Sequence, residues 1–294
     1  MLYLQGMIYT ALSRALVISL ATVLTFGLVL LREATSPTGL GYFTAMAAAP
    51  NGDLYVADRD HQELRLVHAS GGWQRLGAVP TGVFLALAAD GANLMLGTDR
   101  QLFVSSDTGG HWRAALSGRI AAVSIQGSDE LAGSWARGLY VSHDAGGTWA
   151  KASVPTGDTE IVAVIPGFAA TLLGLLQSSD GGGTWTRVKG LPDRMTALDQ
   201  GARQAADWRG HVWAQNGTGW LPTQTVPGGV WSVAQVVIGT TQGLYISGRP
   251  VEGELKGREV THVVLSSGNY WAAAARGPIY VSTDGTHWRL AYQG

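Results

Sequence analysis

Arginine is the residue type whose placement in this sequence most resembles chemistry. Arg100, Arg137, Arg209 and Arg276 each precede an apolar, usually aromatic residue by three or four positions: Phe103, Tyr140, Trp213 and Tyr280. Arg59 lies in the comparable stretch before Leu66. A guanidinium is a planar fork of donors that grips carboxylates or phosphates in pairs. In a radially repeated fold, equivalent positions share one radius and one face, so these five side chains would make a partial ring for a partner to dock on. The plainer reading is a solvated charged face, with Asp99 beside Arg100 and Asp207 beside Arg209 as partners within each repeat.

Other chemistries find less support. Asp60, His61 and Glu63 in the loop 58–63 are types that ligate cations. No second ligand cluster accompanies them, so they read as a solvated loop, and neither a metal nor a cofactor is expected. The chain has no cysteine, which removes disulfides, thiolate zinc sites and thiol catalysis. A net charge of −1 gives no signal for nucleic acid. Charged residues make up 14%, against roughly 25% in an ordinary soluble domain. A neutral surface of that kind suits packing against other proteins, although apolar repeat strands produce the same deficit.

What must position these arginines is a repeat. An octapeptide occurs at Ser105–Trp112, Ser142–Trp149 and Ser178–Trp185, with Asp107, Asp144 and Asp180 at its third position. Gly109, Gly146 and Gly182 stand at its fifth. A copy one residue shorter runs through Ser282, Asp284 and Trp288. The preceding apolar position recurs at Leu66, Phe103, Tyr140, Leu176, Trp213, Tyr245 and Tyr280, giving seven units of about 36 residues between Phe43 and Gly294. Each unit holds about four short apolar runs bounded by turn residues. In the third they are 120–125, 130–135, 138–142 and 148–153, and in the seventh 259–266, 270–275, 278–282 and 287–292. Seven copies of a four-strand unit predict an all-β, seven-bladed propeller, closed by a face-to-face seam between first and last blades unless residues 33–42 add a strand. Within the octapeptide, Asp is expected to accept from backbone N–H groups two residues on, and glycine to supply positive φ. Trp would bury its ring between blades, its N–H finding a polar partner.

The octapeptide resembles the Asp-box, or bacterial neuraminidase repeat. Sialidases, sortilin-type receptors, some glucan hydrolases and photosystem II stability and assembly factors share it. Asn51–Asp58, continuing to Leu64-Arg65-Leu66, is also similar to the NHL propeller repeat. The resemblance implies the propeller fold and places the boxes on outer hairpins, away from the centre. The assembly-factor likeness implies an arginine-rich docking face. A sialidase likeness would imply an arginine triad, a Tyr nucleophile with its Glu, and an Asp acid. Its Phe/Tyr-Arg-Ile-Pro signature is missing, and Gly248-Arg249-Pro250 lies in the wrong blade. No catalytic residue is therefore expected.

Before the repeats, residues 15–31 run without a charge between Arg14 and Arg32. At 1.5 Å per residue they make roughly 25 Å of helix, close to a hydrocarbon thickness of about 30 Å. A signal peptide needs a shorter core and a small-x-small cleavage site, whereas Ala34-Thr35-Ser36 meets Pro37. The organisation expected is a single-pass anchor in 1–32, a linker in 33–42 and a propeller in 43–294. Glu33 and the N-terminal amine tip the propeller toward the extracytoplasmic side. The function expected is a non-catalytic accessory, assembly or scaffold subunit of a bacterial membrane complex, binding another subunit through one loop face. A cell-envelope propeller that binds or cleaves glycans is the alternative. Trp135, Trp208, Trp231 and Trp271 stand outside the repeat position and fit either account.

Overall fold

The computed structural model describes residues 43–293, apart from 200, 202, 218 and 276. The expected anchor, its linker and Arg276 therefore lie outside the described residues. No helix among the described residues is long and apolar enough to cross a membrane.

The chain forms seven four-stranded antiparallel sheets, each built from one continuous segment with its strands in sequence order. The blades span 43–78, 84–117, 120–151, 161–187, 195–225, 230–250 and 260–292. Their first strands are Phe43–Ala48, Phe84–Asp90, Ile120–Gln126, Ile161–Ile165, Met195–Asp199, Val230–Ala234 and Val260–Ser266. Each of these lies against the first strands on either side, and the last lies against the first, so they ring the axis. The expected units match the blades. The fourth strand is shorter than expected in blade 3, only Ala150–Lys151.

Sequence dictates how the blades nest. The six first strands after that of Phe43 all open on an apolar side chain that is fully buried: Phe84, Ile120, Ile161, Met195, Val230 and Val260. The penultimate residue of each second strand is always Ala or Gly: 57, 97, 133, 170, 206, 239 and 273. A Cβ on Gly97 would meet the Ile120 carbonyl at 2.5 Å, and one on Gly133 would meet Ile161 Cγ2 at 2.5 Å. Large-into-small packing therefore sets the distance between sheets.

Every first strand slips register against the second after its opening residue, leaving one bulged residue per blade. Such bulges bend the strand and re-aim side chains. Here they all lie at the axis, where the first strands begin.

The ring closes as a face-to-face seam. Trp271 is fully buried and donates its Nε1 proton to the Gly52 carbonyl (3.0 Å). Ser266 Oγ donates to the Ala49 carbonyl (2.7 Å), and Met46, Leu54 and Val56 pack with Ile279 and Val281. At the rim, buried Arg65 pairs with Asp58 and Glu63, and its guanidinium lies 4.3 Å from the Trp73 ring and 5.5 Å from Tyr292.

Candidate partner-binding face

Antiparallel alternation sorts the loops. Turns between first and second strands share one face with turns between third and fourth strands, which carry the octapeptides. Turns between second and third strands share the other face with the blade-to-blade connections. Arg59, Arg100, Arg137 and Arg209 all fall on this second face, in blades 1, 2, 3 and 5. The chain also enters the disc there, at Phe43.

The arginine turns are held from inside. The last residue of the second strand is Asp58, Thr98, Ser134, Thr171, Asp207 and Thr240 in blades 1 to 6, all buried. Thr98 Oγ1 donates to the Gln101 carbonyl (2.8 Å) and accepts from the backbone N–H of Arg100 and Gln101. Thr171 and Thr240 repeat this bond to Gly174 and Gly243. Asp207 Oδ1 accepts from the N–H of Arg209 and His211 (both 2.9 Å), and Asp58 Oδ1 does so for Asp60 and His61 (both 3.0 Å). These side chains spare the turn a desolvated, unpaired backbone and fix its shape. Blade 7 ends instead on Ala274, closing with a backbone bond from Ala274 N–H to the Pro278 carbonyl (3.3 Å). Sequence reading missed this series, although an Asp, Ser or Thr at regular intervals was its signal.

Asp207 therefore caps a turn and does not pair with the Arg209 guanidinium, which binds Asp193 in the preceding connection (2.9 Å). Arg100 extends away from the disc, 82% exposed, with its Nε 3.7 Å from Asp99. Arg137 donates weakly to the Ser117 carbonyl at the end of blade 2 (3.4 Å), and Arg59 lies 3.7 Å from Asp60. The exposed contacts of Arg100 and Arg137, at this length, are worth little, so these two guanidinium groups can exchange them for another acid. The loop 58–63 is occupied internally: His61 Nδ1 bonds Asp58 (2.8 Å), while Glu63 is buried with Arg65 and Arg75. Among the described residues, no three His, Cys, Asp or Glu side chains are grouped to hold a metal.

Nearer the axis the same face carries a set that sequence reading did not single out. The residues just before the first strands of blades 3, 4, 5 and 7 are Arg119, Glu160, Arg194 and Glu259. Arg119 lies 5.1 Å over the Trp135 ring, and its Nε is buried without a hydrogen-bond partner. Burial pushes the Glu160 carboxyl above its ordinary range. Arg194 is exposed and sits at φ +57°, a region costing a side-chain-bearing residue on the order of 1 kcal/mol. Its N–H reaches the Leu172 carbonyl of blade 4 (2.9 Å), and its own carbonyl accepts from Trp208 N–H (3.0 Å). Trp208 meets Trp231 edge-on at 4.8 Å, and Trp231 Nε1 donates to Glu259 Oε1 (2.8 Å). Their residue types differ from blade to blade, which hid the position.

The opposite face is a set of closed turns. Ser105 Oγ donates to Asp107 Oδ1 (2.8 Å) and accepts from Gly109 N–H (2.9 Å), while Asp107 Oδ1 accepts from His111 N–H (2.9 Å). The turns of Ser142 and Asp144, and of Ser178 and Asp180, repeat this bonding. The aspartate thus reaches four residues on rather than two. Only the shorter copy has the two-residue reach, Asp284 accepting from Thr286 and His287 N–H. Gly109, Gly146 and Gly182 have φ of +84°, +76° and +100°. The N–H groups of Trp149, Trp185 and Trp288 donate to Gly146, Gly182 and Gly285 carbonyls in their own turns. Of the four box tryptophans only Trp185 is fully buried. The backbone N–H of Thr148 and of Thr184 holds Asp144 and Asp180 down at about 2, and His111 and His287 lower Asp107 and Asp284 further. Beneath the second box, burial pushes Glu130 up to about 7, opposed by Arg113, and its Oε2 has no hydrogen-bond partner.

No family model matches this chain, and no curated protein matches it. Solved structures do. A computationally designed protein, Ika8, aligns over 87% of both chains at 15% identity and a TM-score of 0.59. An ancestral GH74 enzyme aligns with 87% of this chain at 14% identity and a TM-score of 0.66, and the chain spans about half of that enzyme (47%). YCF48 bound to D1 peptide aligns over 71% of this chain and 81% of its own, at 16% identity and a TM-score of 0.55. Likeness at this level is likeness of fold.

Proposed function

We propose that this chain is a membrane-anchored, non-catalytic propeller, an accessory, assembly or scaffold subunit of a membrane complex. It binds a partner protein through the face carrying Arg59, Arg100, Arg137, Arg209 and Arg276. The observation that carries the reading is the arginine turn: an exposed guanidinium on a backbone fixed by a buried Asp, Ser or Thr. Such turns present charge without having to be ordered on binding, which lowers the cost of association. In this reading the octapeptides are Asp-boxes, residues 1–32 hold the anchor, and the disc lies on the extracytoplasmic side. A solved neighbour of the fold, YCF48, is recorded bound to a peptide, which agrees with a binding role without assigning one.

The test is a mild-detergent pull-down of the full-length chain from native membranes, beside a variant with Arg100, Arg137, Arg209 and Arg276 changed to Ala. Stoichiometric recovery of a membrane complex, lost in the variant, is expected. Recovery of the chain alone from both samples would remove the reading. The second reading, a glycan-binding or glycan-cleaving propeller of the envelope, draws on Trp208, Trp231 and Glu259 meeting at the axis. Binding on a glycan array, abolished by Trp231→Ala, would favour it.

A further inference from the structure

The axial residues go beyond what ring packing asks for. Trp231 is the bulged residue of its first strand, where other blades carry Leu85, Ala121, Val162, Thr196 and Thr261. Trp208 likewise follows the last residue of its second strand, where Arg59, Asp99, Trp135, Leu172, Thr241 and Ala275 stand in the other blades. Both rings are half-buried and braced from behind. Trp208 lies on Gly229, where an added Cβ would fall 2.8 Å from the ring, and Trp231 is tied to Glu259. Their planes meet at 76°, so together they make a corner rather than a flat platform. At the same end of the axis, just before the first strands of three consecutive blades, Arg119, Glu160 and Arg194 make no ion pair or side-chain hydrogen bond among the described residues, and Arg194 is tied to Trp208 through the backbone.

We propose that this axial mouth is a peptide site. An extended segment of the partner protein would set an aromatic or large aliphatic side chain into the Trp208–Trp231 corner and acidic side chains on Arg119 and Arg194. The proposal rests on the partner-docking reading and supplies the partner's chemistry. A right-angled pair of rings takes a third ring edge-to-face, whereas a sugar stacks on one open ring face. A neutral oligosaccharide would also leave two guanidinium groups without the anions they are built to pair with. An extended chain rises about 3.3 Å per residue and turns alternate side chains to one side, so it delivers successive contacts to successive blades. Glu160, between the two arginines, accepts a backbone N–H of the segment.

The test is an array of twelve-residue synthetic peptides, probed with the full-length chain in mild detergent. The peptides pair aromatic with Ala, and Asp/Glu with Asn/Gln, at alternate positions. Free aryl carboxylates and neutral oligosaccharides serve as competitors. Peptides carrying both an aromatic and an acidic group are expected to be selected. Arg119→Gln with Arg194→Gln should weaken them by about tenfold or more, roughly one charge-assisted contact's worth, and erase the acid preference. Trp231→Leu, with Trp208→Leu as a second variant, should erase the aromatic preference and keep the acid preference. Selection of neither group, selection indifferent to these substitutions, or displacement by oligosaccharide overturns the proposal. If only Arg100→Ala, Arg137→Ala and Arg209→Ala weaken capture of the complex and the peptides, partner docking stands and the axial site falls. If neither set matters in either experiment, both fall.

Discussion

The two faces of the disc use similar side chains for opposite ends. On the octapeptide face, Asp107, Asp144, Asp180 and Asp284 are exposed carboxylates spent on their own turn's backbone. On the arginine face the backbone is served by buried residues such as Asp58 and Asp207. The exposed positions there are left to arginines whose contacts are long or carried by a neighbouring connection. A turn that consumes its surface groups in stabilising itself has little left to offer a partner. A turn stabilised from below keeps its surface free. The repeated motif that announces the fold is thus the part least suited to binding.

That contrast can be broken by exchanging support on each side. The largest effect is expected from Asp207→Ala, which strips two backbone N–H groups and His211 of a fully buried carboxylate. A loss of about 2–3 kcal/mol should appear in urea unfolding, in line with hydrogen bonds to a buried charged group. Asp144→Ala should cost clearly less, because its carboxylate stands in solvent. Equal losses would remove the distinction between the two kinds of turn.

Next in size is a pH effect within the octapeptide face. Glu130 is raised from 4.5 to about 7 in the folded chain. Its contribution to stability is therefore complete below about pH 4.5 and lost as pH rises through 7. Glu130→Gln should remove that decline and raise the unfolding free energy in urea at pH 8 by on the order of 2 kcal/mol, while changing little at pH 4.5. A variant no more stable at pH 8 than the parent would contradict the burial cause. Asp144 and Asp180 act in the other direction: lowered to about 2, they stabilise above about pH 4, and that stabilisation is lost as pH falls toward 2. Thermal melting should show a fall in midpoint over that interval, reduced in Asp144→Asn. The smallest effect is expected from Arg100→Ala and Arg137→Ala, within about 0.5 kcal/mol, since neither side chain supports the fold. A larger loss would make these arginines structural.

How much was legible follows from the same contrast. The blades could be counted because the octapeptide needs particular types: a hydroxyl at Ser105, Ser142 and Ser178 to pair with the aspartate, and glycine where φ is positive. Arg100, Arg137 and Arg209 could be placed on one face because they precede a periodic aromatic by three or four residues. The reach of the aspartate could not be read, since a bond two or four residues on leaves the same residues in sequence. The axial set escaped for a different reason. Its position is repeated in space, but Val83, Arg119, Glu160, Arg194, Gly229 and Glu259 share no side-chain chemistry. Only the first strands' alignment around the axis brings them to one mouth.

The seam between the last blade and the first has a consequence for chain connectivity. Each sheet is one continuous segment, so closing the ring requires no strand to be exchanged between blades. Tyr292 ends a fourth strand and Phe43 begins a first strand on the same face, as do the ends that every blade-to-blade connection joins. One such connection, between Ser117 and Ile120, is only two residues long. Which blade comes first along the gene is therefore arbitrary as far as the disc is concerned, while their cyclic order is kept. A circular permutant joining Tyr292 to Phe43 and opened between Ser117 and Ile120 would keep all seven sheets. Its new termini would fall between Arg100 and Arg137, at the edge of the arginine face.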